Sequence, residues 1–404
     1  MGRLIAVTTG TETRRLRLGA AFRQEDRVLP LELFFDLVFV LAITQCTTLM
    51  SRDPTWGGLG EGVLILALLW WSWVGYAWLT SVFDPEEGGI RIALFAAMAG
   101  FLIAAICVPE AFGDLGLEFA LAYGAVRAAH IALFVLASRD DPEFRRSVLG
   151  LAVGMAISVS LLIAGSFLDP LPQAALWILA LVPDMGIPFV FGSAGWRLVP
   201  GHFAERHGLI MIIALGESIV AIGLGAGSEL TWGIAAAATL GIAVVASLWW
   251  VYFDVVAAIS ARRLAGAPEG KVRNELARDS YSFIHFPMVA GIILFALGLK
   301  KGLGHPTDAL DDVPAFALLG GVALYLLGLV AFRYRHIHTL NRQRLGLALL
   351  LFALYPAGLA LPAVAMLAIL NLLLWSMVAF ETRGYGELRS QVRHGDYTPG
   401  TGRA

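Results

Sequence analysis

Charge is what this sequence lacks. Only 15% of its 404 residues are Asp, Glu, Lys or Arg, whereas a soluble surface needs about a quarter. With 58% hydrophobic residues and a mean hydropathy of +0.74, an ordinary water-facing domain is excluded. A formal net charge of -2 says nothing about nucleic acid, since the informative quantity is where the charges sit along the chain, and no nucleic-acid partner is expected. Cysteine is nearly absent as well: Cys46 and Cys107 lie in apolar runs, too far apart for a zinc spacing, and read as packing residues. No nucleophile elbow, glycine-rich phosphate loop or His-Glu-x-x-His run occurs. Accordingly no catalytic residue, metal or cofactor is predicted. Met1 to Arg27 hold six arginines but no apolar h-region, so residues 1–31 read as a cytoplasmic arm and not as a removable signal.

What is abundant is long apolar runs. Twelve of them, near 32–50, 59–82, 91–109, 117–138, 147–168, 171–192, 207–227, 231–258, 282–299, 314–332, 345–361 and 363–380, suit spans of about 20 residues. Breakers such as Asp53-Pro54, Asp84-Pro85, Asp141-Pro142, Asp169-Pro170, Pro200-Gly201 and His305-Pro306 separate them. With the N-terminus inside, the arm, the inner connections and the tail hold 25 of the 29 Lys and Arg. The outer connections hold only Arg52, Lys300 and Lys301, and Arg127 lies within a helix. That split follows the positive-inside rule and puts both termini in the cytoplasm.

The halves resemble each other. Leu68-Leu-Trp-Trp-Ser-Trp recurs as Ser247-Leu-Trp-Trp-Val-Tyr, Phe119-Ala-Leu-Ala as Phe316-Ala-Leu-Leu, and Leu149-Gly-Leu-Ala as Leu345-Gly-Leu-Ala, with offsets of about 180 to 197. The fold expected is an all-α polytopic membrane protein of about twelve transmembrane helices in two parallel six-helix repeats, 32–206 and 207–381, followed by a cytoplasmic tail, 382–404. In that register Asp36 of the first helix matches Glu217 of the seventh.

Glu32-Leu-Phe-Phe-Asp-Leu-Val-Phe-Val40, Glu205-Arg-His-Gly-Leu-Ile210 and Ala214-Leu-Gly-Glu-Ser218 together resemble the bacterial low-temperature-requirement protein A family, LtrA, over nearly the whole chain. The resemblance implies a polytopic protein of the bacterial inner membrane, named for a growth phenotype, and brings no substrate with it. Leu31 to Phe39 followed by Ala42-Ile-Thr44 is similar, more weakly, to the first-helix Phe-Ser-Asp motif of the two-repeat endolysosomal potassium and proton channels. Phe35 replaces the motif serine, and Gly216-Glu217 replaces Ser-Asp in the second copy, so that family's ion selectivity does not transfer.

Several residues are candidates for function. Glu32 and Asp36, four apart, share one face of an apolar helix, and each ion near the middle of a bilayer costs about 2.5 to 3.5 kcal/mol on insertion scales. Glu217 sits mid-run. Each is either a structural buried acid or an ion- or proton-binding group on a path. Arg127 and His130 share a helix face with Tyr123, while the matching positions in the second half are Leu324 and Leu327. A buried guanidinium needs a carboxylate, for which Asp36, Glu32 and Glu217 are the expected partners. Glu205 and His207, with Asp254 and His285, form a second candidate cluster at the inner interface, of metal-compatible residue types but without a closed-site spacing. Trp70, Trp71, Trp73, Trp249 and Trp250 read as core or as an aromatic lining. His336-x-His338 reads as a basic loop at lipid headgroups.

The function expected is a channel or transporter for an ion, proton or small solute, with Glu32, Asp36, Glu217, Arg127 and His130 along its path. The alternative is a membrane-embedded enzyme or cofactor protein acting on a lipid or hydrophobic metabolite through the second cluster. The partners expected are the lipid bilayer and the solute itself, with a second copy of the chain left open.

Overall fold

The computed structural model describes residues 27–86, 88–139, 141–190, 196–227 and 230–384. The predicted arm and tail fall almost wholly outside the described residues. The first half contains α1 (Pro30–Arg52), α2 (Trp56–Val82), α3 (Gly88–Cys107), α4 (Gly116–Ala137), α5 (Pro142–Gly165) and α6 (Pro170–Val190). The second contains α7 (Pro200–Ala226), α8 (Trp232–Phe253), α9 (Val256–Ala265), α10 (Lys271–Ala277), α11 (His285–Gly304) and α12 (Asp312–Ile337). It ends with α13 (Arg342–Ala353), α14 (Tyr355–Gly358) and α15 (Ala363–Gly384). No strand occurs among the described residues. The fold is the all-α polytopic one expected.

The predicted breakers open the helices. Asp141 caps α5, its carboxylate accepting from the amides of Glu143 and Phe144 at 3.1 Å each. Pro30, Pro142 and Pro200 each stand at the start of a helix, where a missing N–H costs nothing. Eleven helical segments among the described residues are long and apolar enough to cross a bilayer, with α8 and α9 continuous as Trp232–Ala265 and α10 and α11 as Lys271–Gly304. The run expected at 345–361 differs. It divides into α13 and α14 around Leu354, where Pro356 removes a backbone donor and crowds the preceding turn. The start of α7 differs too, lying at Pro200 rather than 207, which brings His202 and Arg206 into the bundle.

Part of the helix adjacency recurs between the halves, although α5 packs extensively on α6 whereas α13 barely meets α15. α1 packs on α2 and α3, α3 on α4, α4 on α5 and α2 on α6; likewise α7 packs on α8 and α11, α11 on α12, α12 on α13 and α8 on α15. α1 and α7 lie side by side and run in the same direction, since Glu32 meets His202 and Thr44 meets Glu217.

The centre of the bundle is α2, α11 and α12, each with 78% of its spanning window buried, against 22% for α6. Glycine makes the α11 and α12 contact. A Cβ on Gly291 would lie 2.5 Å from the Gly321 carbonyl oxygen, and one on Gly298 2.5 Å from the Leu318 nitrogen. The two backbones therefore touch, which only small residues permit.

Two expectations need correction. Trp70 and Trp73 are buried but Trp249 is exposed on the outer face of α8, so the tryptophans do not share one role. His336 is not a headgroup contact: its ring packs against Tyr281 at 5.7 Å and Phe332 at 4.8 Å, and only His338 of that pair is exposed.

Candidate functional site

The seam between α1 and α7 carries two polar levels. At the first, Glu32 and Asp36 on α1 face His202 and Arg206 on α7, each pair spaced by four residues, so that one helix face meets the other. Glu32 Oε1 accepts from His202 Nε2 at 2.8 Å and from Arg206 Nη1 at 3.0 Å. Its second oxygen accepts from the Leu29 amide at 2.9 Å, so Glu32 also satisfies a donor at the start of α1. Arg206 Nη2 and Trp73 Nε1 donate to Asp36 Oδ1 at 3.0 and 2.8 Å. Arg206 Nη1 further donates to the Thr80 hydroxyl, and the guanidinium carbon lies 5.7 Å from the ring centroids of both Phe35 and Trp73.

All four charged or titratable groups at this level are at most 1% exposed. Two acids around one arginine need the histidine as a second donor, because an uncompensated charge in such a place costs several kcal/mol. Asp36 Oδ2 is buried without a hydrogen-bond partner. One acceptor of the cluster is thus left open.

The second level lies further along the same seam. Glu217 Oε2 accepts from the Thr44 hydroxyl at 2.5 Å, Thr47 stands beside it, and the Lys300 ammonium of α11 interacts with it electrostatically. Asp36 and Glu217, expected to stand opposite each other in a repeat register, lie instead at different depths of the same seam, Asp36 beside Arg206 and Glu217 beside Thr44. From Glu32 to Thr47 the polar positions extend over about 22 Å at 1.5 Å per residue.

Arg127 does not join this seam. Its Nη2 donates to Asp184 Oδ1 of α6 at 2.5 Å, and Tyr123 donates to Asp184 Oδ2 at 3.2 Å. The expected pairing with Glu32, Asp36 or Glu217 is replaced because α2 stands between: Trp73 on one side of it reaches Asp36, while Gly75 on the other lies against Arg127 and His130. A Cβ at Gly75 would come within 2.9 Å of Arg127 Nη1 and 3.0 Å of His130 Nε2. Glycine here makes room for both polar side chains. Asp184 is a lone acid within an apolar run, the same signal that marks Glu217. His202 and Arg206 carry theirs in the Pro200 start of the helix.

The second candidate cluster divides. His207 and His285 come together, ring centroids 5.4 Å apart, in a box that includes Trp73 at 5.1 Å, Phe203 at 4.4 Å and Tyr281 at 5.2 Å from His207. His207 Nδ1 donates to the Phe203 carbonyl at 2.9 Å and its Nε2 is buried without a hydrogen-bond partner. His285 Nδ1 donates to the Ser280 carbonyl at 3.0 Å, and Tyr252 donates to its Nε2 at 2.9 Å. The π-helical turn Arg278–Phe283 releases carbonyls from the regular ladder, and Ser280 and Ser282 use theirs for His285 and for Trp70 Nε1. Glu205 stands outside this box, exposed and accepting from the Val28 amide at 3.1 Å. Asp254 caps α8. Among the described residues no group of three or more His, Cys, Asp or Glu is arranged to hold a metal ion.

A partly open cavity of about 80 Å³ lies on the far side of α2 from the seam, walled by Trp71, Trp78, Trp196, Arg127, His130 and Arg278 among others. It sits where α2, α4 and α6 end and α5 begins, at the end of the bundle from which α1 starts.

Eleven apolar segments of spanning length, with ion pairs sealed between them, define a multi-pass integral membrane protein. The chain belongs to the family described as Bacterial low temperature requirement A protein (LtrA), whose sequence model matches residues 27–379. It is similar to the uncharacterized protein RA0937 of Rhizobium meliloti (strain 1021), 33% identical over 371 residues that cover 87% of this chain and 89% of that protein. No solved structure gives a significant match.

Proposed function

We propose that this protein moves an ion, a proton or a small solute across the bacterial inner membrane, with α1 and α7 lining the path. The observation that carries the reading is the α1 and α7 seam, where Glu32, Asp36 and Glu217 and their partners occupy two depths of one helix contact. Intramembrane acids are expensive and mark ion and proton routes by default. The parallel course of α1 and α7 and the partial recurrence of helix neighbours support a duplication into 32–206 and 207–381, and duplicated transporters commonly hold their sites between repeats. The side rich in basic connections, where α1 begins, is cytoplasmic in this reading, as are both termini. The enzyme reading has less support, because Glu205 and Asp254 stand outside the His207 and His285 box.

Replacing Glu217 by Gln removes the acid with little change of shape. Flux of H⁺, K⁺ or small organic ions into proteoliposomes is expected to fall at least tenfold in Glu217→Gln. Equal flux in wild type and variant would remove Glu217 from the path.

A further inference from the structure

The cavity beside α2 has a wall of unusual composition. Its aromatic side consists of Trp71, Trp78, Trp196 and Phe134, and Trp196 closes it with edge contacts to Trp78 at 5.6 Å and Phe134 at 5.0 Å. Its polar side carries Arg127, His130 and Arg278, and no carboxylate lines it. The acids that balance these arginines are placed behind the wall: Asp184 behind Arg127, and Asp279 behind Arg278 at 2.8 Å. Asp279 is shared, since Arg335 Nη2 also pairs with it at 3.1 Å. Two guanidiniums on one carboxylate leave a net positive charge at the rim. Arg278 is held in position by the Pro188 carbonyl at 3.3 Å and by the face of Phe189 at 3.9 Å, and Arg127 Nε is buried without a hydrogen-bond partner.

We infer that this cavity binds a small organic anion with an aromatic or similarly flat apolar body, its carboxylate toward Arg127 and Arg278 and its ring among the tryptophans. Indole faces take flat apolar groups by offset or edge contacts, and guanidinium forks suit carboxylates. The inference goes beyond the transport reading, since α2 stands between this cavity and the α1 and α7 seam, and it rests on that reading only for any movement of the solute, whereas binding to the purified protein is measurable without flux.

An apolar body with an anionic head also describes a fatty acid or an anionic lipid, so the experiment needs arms for both sources. Calorimetric titration of the full chain in detergent micelles with sodium phenylacetate is expected to give saturable binding. Phenylacetamide and phenethylammonium, of the same shape but neutral and cationic, are expected to bind at least tenfold more weakly. Arg278→Gln should lose at least tenfold in affinity for phenylacetate. Leu151→Trp, which fills the cavity and leaves every charge in place, should abolish binding. Equal binding of the three probes, wild-type affinity in both variants, or a response confined to dodecanoate or phosphatidylglycerol in mixed micelles would overturn the inference. Phenylacetate binding without Glu217-dependent flux would retain this site and remove the transport path, and the reverse result would do the opposite.

Discussion

The contact of α11 with α12 and the region between α2, α4 and α6 are built in opposite ways. In the second half Gly291, Gly298 and Gly321 bring two backbones together, and α11 and α12 are the most buried helices with α2. Between α2, α4 and α6 the side chains of Arg127, His130 and Asp184 are buried, and a cavity opens beside Arg127 and His130. The close-packed helix pair supplies rigidity, and the region with a buried ion pair and space supplies a place to bind. A site needs rigid elements to hold it.

The largest effect is expected from attacking the rigid pair. Gly321→Leu sets side-chain atoms where a Cβ alone would already lie 2.5 Å from the Phe295 nitrogen, and no backbone can yield that far without separating the helices. Overpacking costs about 1 to 3 kcal/mol even in milder cases. Recovery of monodisperse protein by size-exclusion chromatography should be lost, whereas Gly346→Leu, with open space around the glycine, should leave it unchanged.

Next in size is the ionic seam. Arg206→Gln strands Glu32 and Asp36 in a site sealed from water, and breaking a buried pair in this way costs about 3 to 5 kcal/mol. A fall in thermal midpoint is expected, with most of it restored when Glu32→Gln and Asp36→Asn are added. If the triple variant is no more stable than Arg206→Gln alone, the pairing is not what holds the level together.

The smallest effect sharpens the comparison. Arg127→Leu with Asp184→Leu makes the region of the buried ion pair apolar, and replacing a complete buried pair by packed apolar groups is often neutral or stabilising, whereas Arg127→Leu alone leaves Asp184 uncompensated at about 3 to 5 kcal/mol. The double variant should keep its thermal midpoint and lose phenylacetate binding at least tenfold.

Much of the architecture was legible in composition alone, because a bilayer demands long apolar helices. Pro356 shows the limit: the run 345–361 is apolar enough to span, yet a single missing donor divides it. The acids Glu32, Asp36 and Glu217 stood out as charges in apolar surroundings. Their partners did not, since Arg206 looks like the basic end of a loop until Pro200 is read as the start of α7, and Asp184 hides between Pro183 and Met185 in a run that reads as a simple span. Which cation meets which acid is a matter of helix packing, and α2, by standing between Asp36 and Arg127, decides it.

The most direct test of the seam as a path is modification of Glu217 by the hydrophobic reagent dicyclohexylcarbodiimide, read by peptide mass spectrometry together with proteoliposome flux. The reagent attacks intramembrane carboxyls that exchange protons. The account predicts that Glu217 is labelled, that labelling and flux loss proceed together, and that the permeant ion protects. An unlabelled Glu217 in protein whose flux is untouched by the reagent would contradict it.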